Sequence, residues 1–284
     1  MKTYKGFDKD LKCRGFQYEI GKEYEEKEAV QCNKGFHACE HPLDVFNYYP
    51  PCESRYCEVE QDGEISKGTN DTKVASTKIK IGAEIGIKGL ISAAVNYTKN
   101  HCTNNKSGGY CSALTGGDRS ALTGGDCSAL TGGDRSALTG GSWSALTGGD
   151  NSALTGGSWS ALTGGDCSAL TGGYKSALTG GDRSALTGGN SSALTGGNSS
   201  ALTGGSWSAL TGGNSSALTG GNYSVVYGNG SDAKVRGGLN SVLVLAEYDE
   251  YYNFVKNHCR TVDGKKIKEN TYYTLKNGRF SEAK

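Results

Sequence analysis

The hexad Ser-Ala-Leu-Thr-Gly-Gly recurs 14 times between Ser112 and Gly221, always eight residues apart. A fixed short period signals a solenoid, in which stacked turns share one core. A helix is excluded, because Gly-Gly in every repeat would cost about 2 kcal/mol per repeat relative to Ala. A short strand over the variable residue and Ser-Ala-Leu-Thr fits, turned by Gly-Gly and one further residue. At such a corner, glycine is expected to supply the positive φ.

One octad is too short to enclose a core, whereas two make a coil of 16 residues with two facing strands. The variable positions support the pair. Ser-Trp begins at 142, 158 and 206, and Asp-Arg at 118, 134 and 182, so both series are spaced by 16 and 48. A three-strand coil of 24 residues accommodates the spacing of 48 but not that of 16, so it fits neither series. The residue after Gly-Gly also splits by parity: Asp118, Asp134, Asp150, Asp166, Asp182, Asn198 and Asn214 fall in one column. Asp126, Ser142, Ser158, Tyr174, Asn190, Ser206 and Asn222 fall in the other. Strand parity then assigns faces. The variable residue includes Arg119, Arg135, Lys175 and Arg183, so it faces water together with Ala and Thr. Leu and Ser point inward. The core becomes two facing Leu ladders, each buried Leu contributing roughly 1.5–3 kcal/mol. Seven such coils would form a rod of about 34 Å.

A solenoid needs its open ends covered. Residues 1–72 read as a small α+β unit rich in charge, aromatics and Cys, with a short helix from Pro42 that stops before Pro50-Pro51. Residues 73–110 read as strands that open the solenoid, because Lys73–Thr98 alternates apolar and polar residues; 99–110 read as a loop or irregular first coil. The array with enlarged final coils occupies 111–247, and a β cap occupies 248–284. The cap carries two hairpin signals, Asp263-Gly264 and Asn277-Gly278. The fold class is therefore mainly β: a two-sheet β-solenoid with small caps.

Charge limits the partners. The chain has 30 Lys+Arg against 29 Asp+Glu, net +1, which argues against both a nucleic-acid binder and an acidic mimic of one. No apolar run is long enough for a membrane helix. The amino-terminal residues lack an apolar secretory segment, so the ten Cys are expected as reduced thiols in a cytoplasm.

The flanking motifs are specific. They comprise Lys5-Gly6-Phe7; Cys13-Arg14-Gly15-Phe16-Gln17-Tyr18; Gly35-Phe36-His37-Ala38-Cys39; Pro42-Leu43-Asp44-Val45; Arg55-Tyr56 and Glu58-Val59-Glu60; and a tail from Val262 to Phe280. With the octapeptide array between them, they resemble a family of uncharacterised phage and prophage proteins over essentially the whole chain. The resemblance brings no activity. It implies a phage or prophage origin, and hence action in the cytoplasm of a bacterial host or as part of a virion.

Several chemistries were weighed. Cys32, His37, Cys39 and His41 have ligand-type side chains, but their spacing is not a common zinc pattern. Glu58 and Glu60 thinly resemble the glutamate pair of ADP-ribosyltransferases, the enzyme alternative for residues 1–70. The Gly-Gly-Asp corners supply too few oxygens for calcium. The lone Thr rank lacks the second rank of an ice-binding face. No cofactor or metal is expected, and no enzyme activity.

The most informative surface feature is aromatic. All three Trp occupy the variable position, at Trp143, Trp159 and Trp207, and share one parity column with Lys175 and Tyr223. Clustered exposed Trp marks a binding surface. The expected function is non-enzymatic binding of a bacterial host protein, with Trp143, Trp159, Trp207, Tyr223, Lys175, Arg119 and Arg135 as binding residues. A glycan or nucleobase platform, a self-association seam and a virion fibre are the alternatives.

Overall fold

A computed structural model describes residues 1–67, 72–102 and 104–283. Strand makes up 44% of the chain and helix 8%, so the fold is mainly β. Two compact units are present, residues 1–101 and 102–284.

The first unit contains β1 (Lys2–Phe7), β2 (Lys12–Cys13), β3 (Phe16–Gln17), β4 (Glu23–Glu25) and β5 (Phe36–Cys39). A 3-10 helix (Pro42–Asn47), β6 (Arg55–Lys67), β7 (Lys73–Ile85) and α1 (Ile87–His101) follow. Their pairings run in a closed circuit, β1 to β6 to β7 to β5 and back to β1, with β4 added on β7. Phe7, Leu11, Tyr18, Phe36, Val59, Ile79 and Ile81 fill its core. Gln61 is buried among them and fully bonded: its amide donates to the Phe36 carbonyl and Ser76 Oγ, and its Oε1 accepts from Thr3 Oγ1.

This corrects the reading of 73–110. Lys73–Ile85 does alternate, but its partners are β4, β5 and β6 of the first unit. Beyond Gly86 the spacing turns helical, and Leu90, Ile91, Ala94 and Thr98 form the buried face of α1. Asn104–Ser107 is the first solenoid strand, paired in parallel with Ser120–Thr123; Thr103 lies outside the described residues.

The second unit is a β-solenoid of about 9 turns of ~16 residues over 105–245. Parallel pairing joins each residue to the one 16 further on, as in Leu122 with Leu138 and Leu130 with Leu146. One sheet holds the strands beginning at Ala137, Ala153, Ala169, Ala185 and Ala201, the other those at Ala129, Ala145, Ala161, Ala177 and Ala193. Leu122 through Leu218 form one continuous buried core between them. The inward Ser hydroxyls are hydrogen-bonded to backbone groups of the turns. Ser152 Oγ donates to the Gly133 carbonyl at 3.2 Å and accepts from the Ser136 N–H at 3.3 Å, and the pattern recurs along the rod. Where the repeat degrades, the step lengthens to 17, pairing Ala217 with Lys234 and Val225 with Val242.

The corners overturn one expectation. Positive φ belongs to the variable residue, from Cys111 to Tyr223 at 53–63°, and not to the repeat glycines. Non-glycine residues in that region cost about 1–2 kcal/mol each. The neighbouring turn holds them there: the Arg119 N–H donates to the Asp134 carbonyl at 2.8 Å, and the Trp143 N–H to the Ser158 carbonyl at 2.9 Å. Glycine is needed for room. A Cβ on Gly164 would stand 2.8 Å from Ser168 Cβ, and one on Gly165 2.0 Å from Asp150 Oδ1.

Antiparallel strands close the carboxyl-terminal end. Phe254–Thr261 pairs with Val242–Tyr248, while Tyr273–Lys276 pairs with Lys234–Arg236 and with Arg279–Glu282. Asn277-Gly278 turns a hairpin, as expected. Asp263-Gly264 does not. Asp263 Oδ1 instead accepts the N–H groups of Lys265, Lys266 and Ile267, folding a compact loop that sends Ile267 into the core.

Candidate functional site

Each turn has two corners, one leading into each sheet, so the ribbon has two long edges. Corners that lead into the Ala129-type strands carry Cys111, Cys127, Trp143, Trp159, Lys175, Ser191, Trp207 and Tyr223. The opposite edge carries Arg119, Arg135, Asn151, Cys167 and Arg183. Five of the expected binding residues are thus gathered on one edge. Arg119 and Arg135 stand on the other and form no part of the aromatic surface.

The Asp and Asn residues beside these columns serve the backbone. Asp118 Oδ1 accepts the Asp134 N–H at 3.0 Å, Asp134 the Asp150 N–H at 2.9 Å, and Asp150 the Asp166 N–H at 2.8 Å. Through Asp166 and Asp182 this ladder reaches Asn198, and it continues to Asn214. A side-chain oxygen therefore caps a corner amide that the strand ladders leave over.

On the aromatic edge, adjacent turns bring rings into register. Trp143 and Trp159 stack with centroids 4.9 Å apart and planes within 3°. Trp207 and Tyr223 stack at 4.5 Å and 11°. Tyr174, which occupies the position after Gly-Gly, meets Trp159 edge-on at 6.0 Å. Lys175 Nζ lies 4.3 Å from the Trp159 centroid and 5.2 Å from that of Tyr174. The rings remain open to solvent: Trp143 is 60% exposed, Trp159 42% and Trp207 65%. Offset stacks and cation–π contacts contribute about 0.5–1.5 kcal/mol each, enough to fix the rings without hiding them.

Residues weighed for other chemistry are dispersed. His37 Nε2 accepts the Cys32 N–H at 3.0 Å. His41 is buried beside Asp44, 3.5 Å away, and against Tyr97. Glu58 pairs with Lys2 at 2.8 Å, and Glu60 is exposed on the same strand. Among the described residues no three His, Cys, Asp or Glu side chains assemble into a metal-binding group.

Tyr174 falls in a parity column read from the sequence but is not among the binding residues expected there, all of which occupy the variable position. Sequence reasoning missed a cleft of about 1040 Å³ within the first unit, lined by Lys5, Arg14, Tyr18, His37, Tyr49 and Lys73 among others. Lys5 shares one face of β1 with Thr3 and Phe7, and all three are buried.

No curated protein and no solved structure matches the chain. A family model described as a domain of unknown function (DUF7666) matches residues 1–93, and a repeat solenoid follows that domain.

Proposed function

We propose that this chain is a non-enzymatic binding protein whose solenoid docks a partner protein along its aromatic edge. The observation that carries the reading is the stacked, solvent-open Trp143–Trp159 pair, extended by Tyr174 and Lys175. Large rigid aromatics beside a cation have the chemistry of interface hot spots. They are fixed before binding, so little side-chain entropy is lost on docking. The resemblance of the flanking motifs favours a phage- or prophage-encoded chain acting in a bacterial cytoplasm, where the partner would be a host protein that it inhibits or redirects.

Affinity capture from a bacterial lysate, followed by binding measurements on the purified partner, tests this. Trp143→Ala with Trp159→Ala is expected to weaken the partner at least about 30-fold. Because both rings are exposed, the double variant should keep the wild-type circular dichroism spectrum. Equal affinity of wild type and double variant would refute docking through this edge. Recovery of the chain in purified virions would favour the structural reading.

A further inference from the structure

The cleft in the first unit has an unusual floor. Lys5 is 4% exposed, and its Nζ donates to the His37 carbonyl at 2.7 Å and lies 3.6 Å from Cys13 Sγ. The rings of Phe7 and Tyr18 flank it at 5.5 and 5.4 Å. No carboxylate among the described residues faces this amine. A buried ammonium group without a counter-ion is costly, and burial pushes its pKa down accordingly. More positive charge surrounds it. Lys5, Lys73 and Arg14 all bear on His37 and, after burial, help to hold the imidazole below its ordinary pKa. Of the acids that also line the cleft, Glu28 pairs with Lys34 at 2.8 Å and Glu25 with Lys78 at 3.2 Å, while Glu26 is exposed and bears on Tyr18.

The walls are aromatic. Tyr18 and Tyr49 line the cleft, and Tyr49 reaches it by packing directly on Gly6, where a Cβ would stand 2.6 Å from Tyr49 Cβ. Lys73 Nζ lies 4.5 Å from the Tyr48 ring centroid and donates to its hydroxyl at 3.1 Å. A volume of about 1040 Å³ is at the large end of the range for small-molecule sites.

We propose that this cleft binds a small acid that carries an aromatic ring. Its phosphate or carboxylate group takes the place of the missing counter-ion beside Lys5 and Arg14, and its ring lies against Tyr18 and Tyr49. The cleft is lined by residues of 1–101 and the aromatic edge by residues of 102–284, and binding to the cleft is tested without the partner proposed above.

Isothermal titration of the full chain tests the proposal, with AMP against adenosine, benzoate against benzamide, and inorganic phosphate alone. At least one ringed acid should bind about tenfold or more tightly than its uncharged counterpart and than phosphate, the expected size of a charge-assisted hydrogen bond. Lys5→Met and Arg14→Gln should each weaken that acid about tenfold. Arg14 is exposed, so its variant tests the site even if Lys5→Met fails to fold. The proposal is overturned if no ringed acid gives saturable heat at millimolar concentration. It is equally overturned if acid and neutral partners bind alike, if phosphate alone matches the ringed acid, or if Arg14→Gln leaves affinity unchanged.

Discussion

Leu178→Ala is expected to destabilise the solenoid by about 2–5 kcal/mol, and Leu178→Asp to unfold its central turns. Leu178 is 1% exposed and pairs in register with Leu162 and Leu194. Its side chain belongs to the single Leu core between the sheets. That core is thin: each strand contributes one Leu, flanked inward by a Ser hydroxyl already committed to backbone partners. No second apolar layer can close over the gap, so a truncated side chain leaves a cavity that neighbouring Leu residues fill poorly. A loss of that size corresponds to a fall in Tm on the order of 10 °C, read by circular dichroism. An alanine variant that melts with the wild type would contradict the ladder as the main source of stability.

At Ser191 two substitutions should act with opposite sign. Ser191→Gly is expected to stabilise by about 1 kcal/mol, and Ser191→Pro to destabilise by at least about 3 kcal/mol. The residue holds φ at 58°, and its N–H donates to the Ser206 carbonyl at 2.8 Å. Glycine removes the steric cost of that conformation and keeps the amide. Proline locks φ near −65° and deletes the donor, so it breaks the corner in both respects. The gain from glycine is reduced by the greater freedom it gives the unfolded chain, which keeps it modest. Chemical denaturation of both variants gives the two signs directly. Destabilisation by both would mean that the corner does not impose a left-handed backbone.

The coil was legible because identical residues at multiples of 16 exposed the pairing of octads, and because Arg at the variable position set Leu and Ser inward; the expectation that Ala faces water holds on the sheet of Ala129 and Ala145 and fails on the other, where Ala121, Ala137, Ala153, Ala169 and Ala185 are buried as well. The corner was misread for a physical reason. Glycine is usual both where φ is positive and where space is short, and sequence does not separate the two. Here Gly164 and Gly165 answer to space, while Trp, Arg and Lys carry the strained angle because the adjoining turn holds their amides. The opening strands were misplaced because Lys73–Ile85 alternates as any half-buried strand does, and alternation does not name the partner sheet. The aromatic edge followed from parity alone. The cleft was hidden because Lys5, Arg14, His37 and Lys73 are scattered along the chain, and only the closed circuit of β1, β5, β6 and β7 brings them together.

The alternation of octads between the two sheets constrains how such an array can change length. Removing one octad would transpose everything after it: Leu would still face Leu, but every later indole would cross to the arginine side. The closing strands would then meet the wrong sheet, since Phe254–Thr261 and Tyr273–Lys276 each fit a particular one. Removing a pair of octads shortens the rod and leaves both borders in place. A gene built of near-identical units is prone to gain and lose them, and this architecture tolerates even numbers and penalises odd ones.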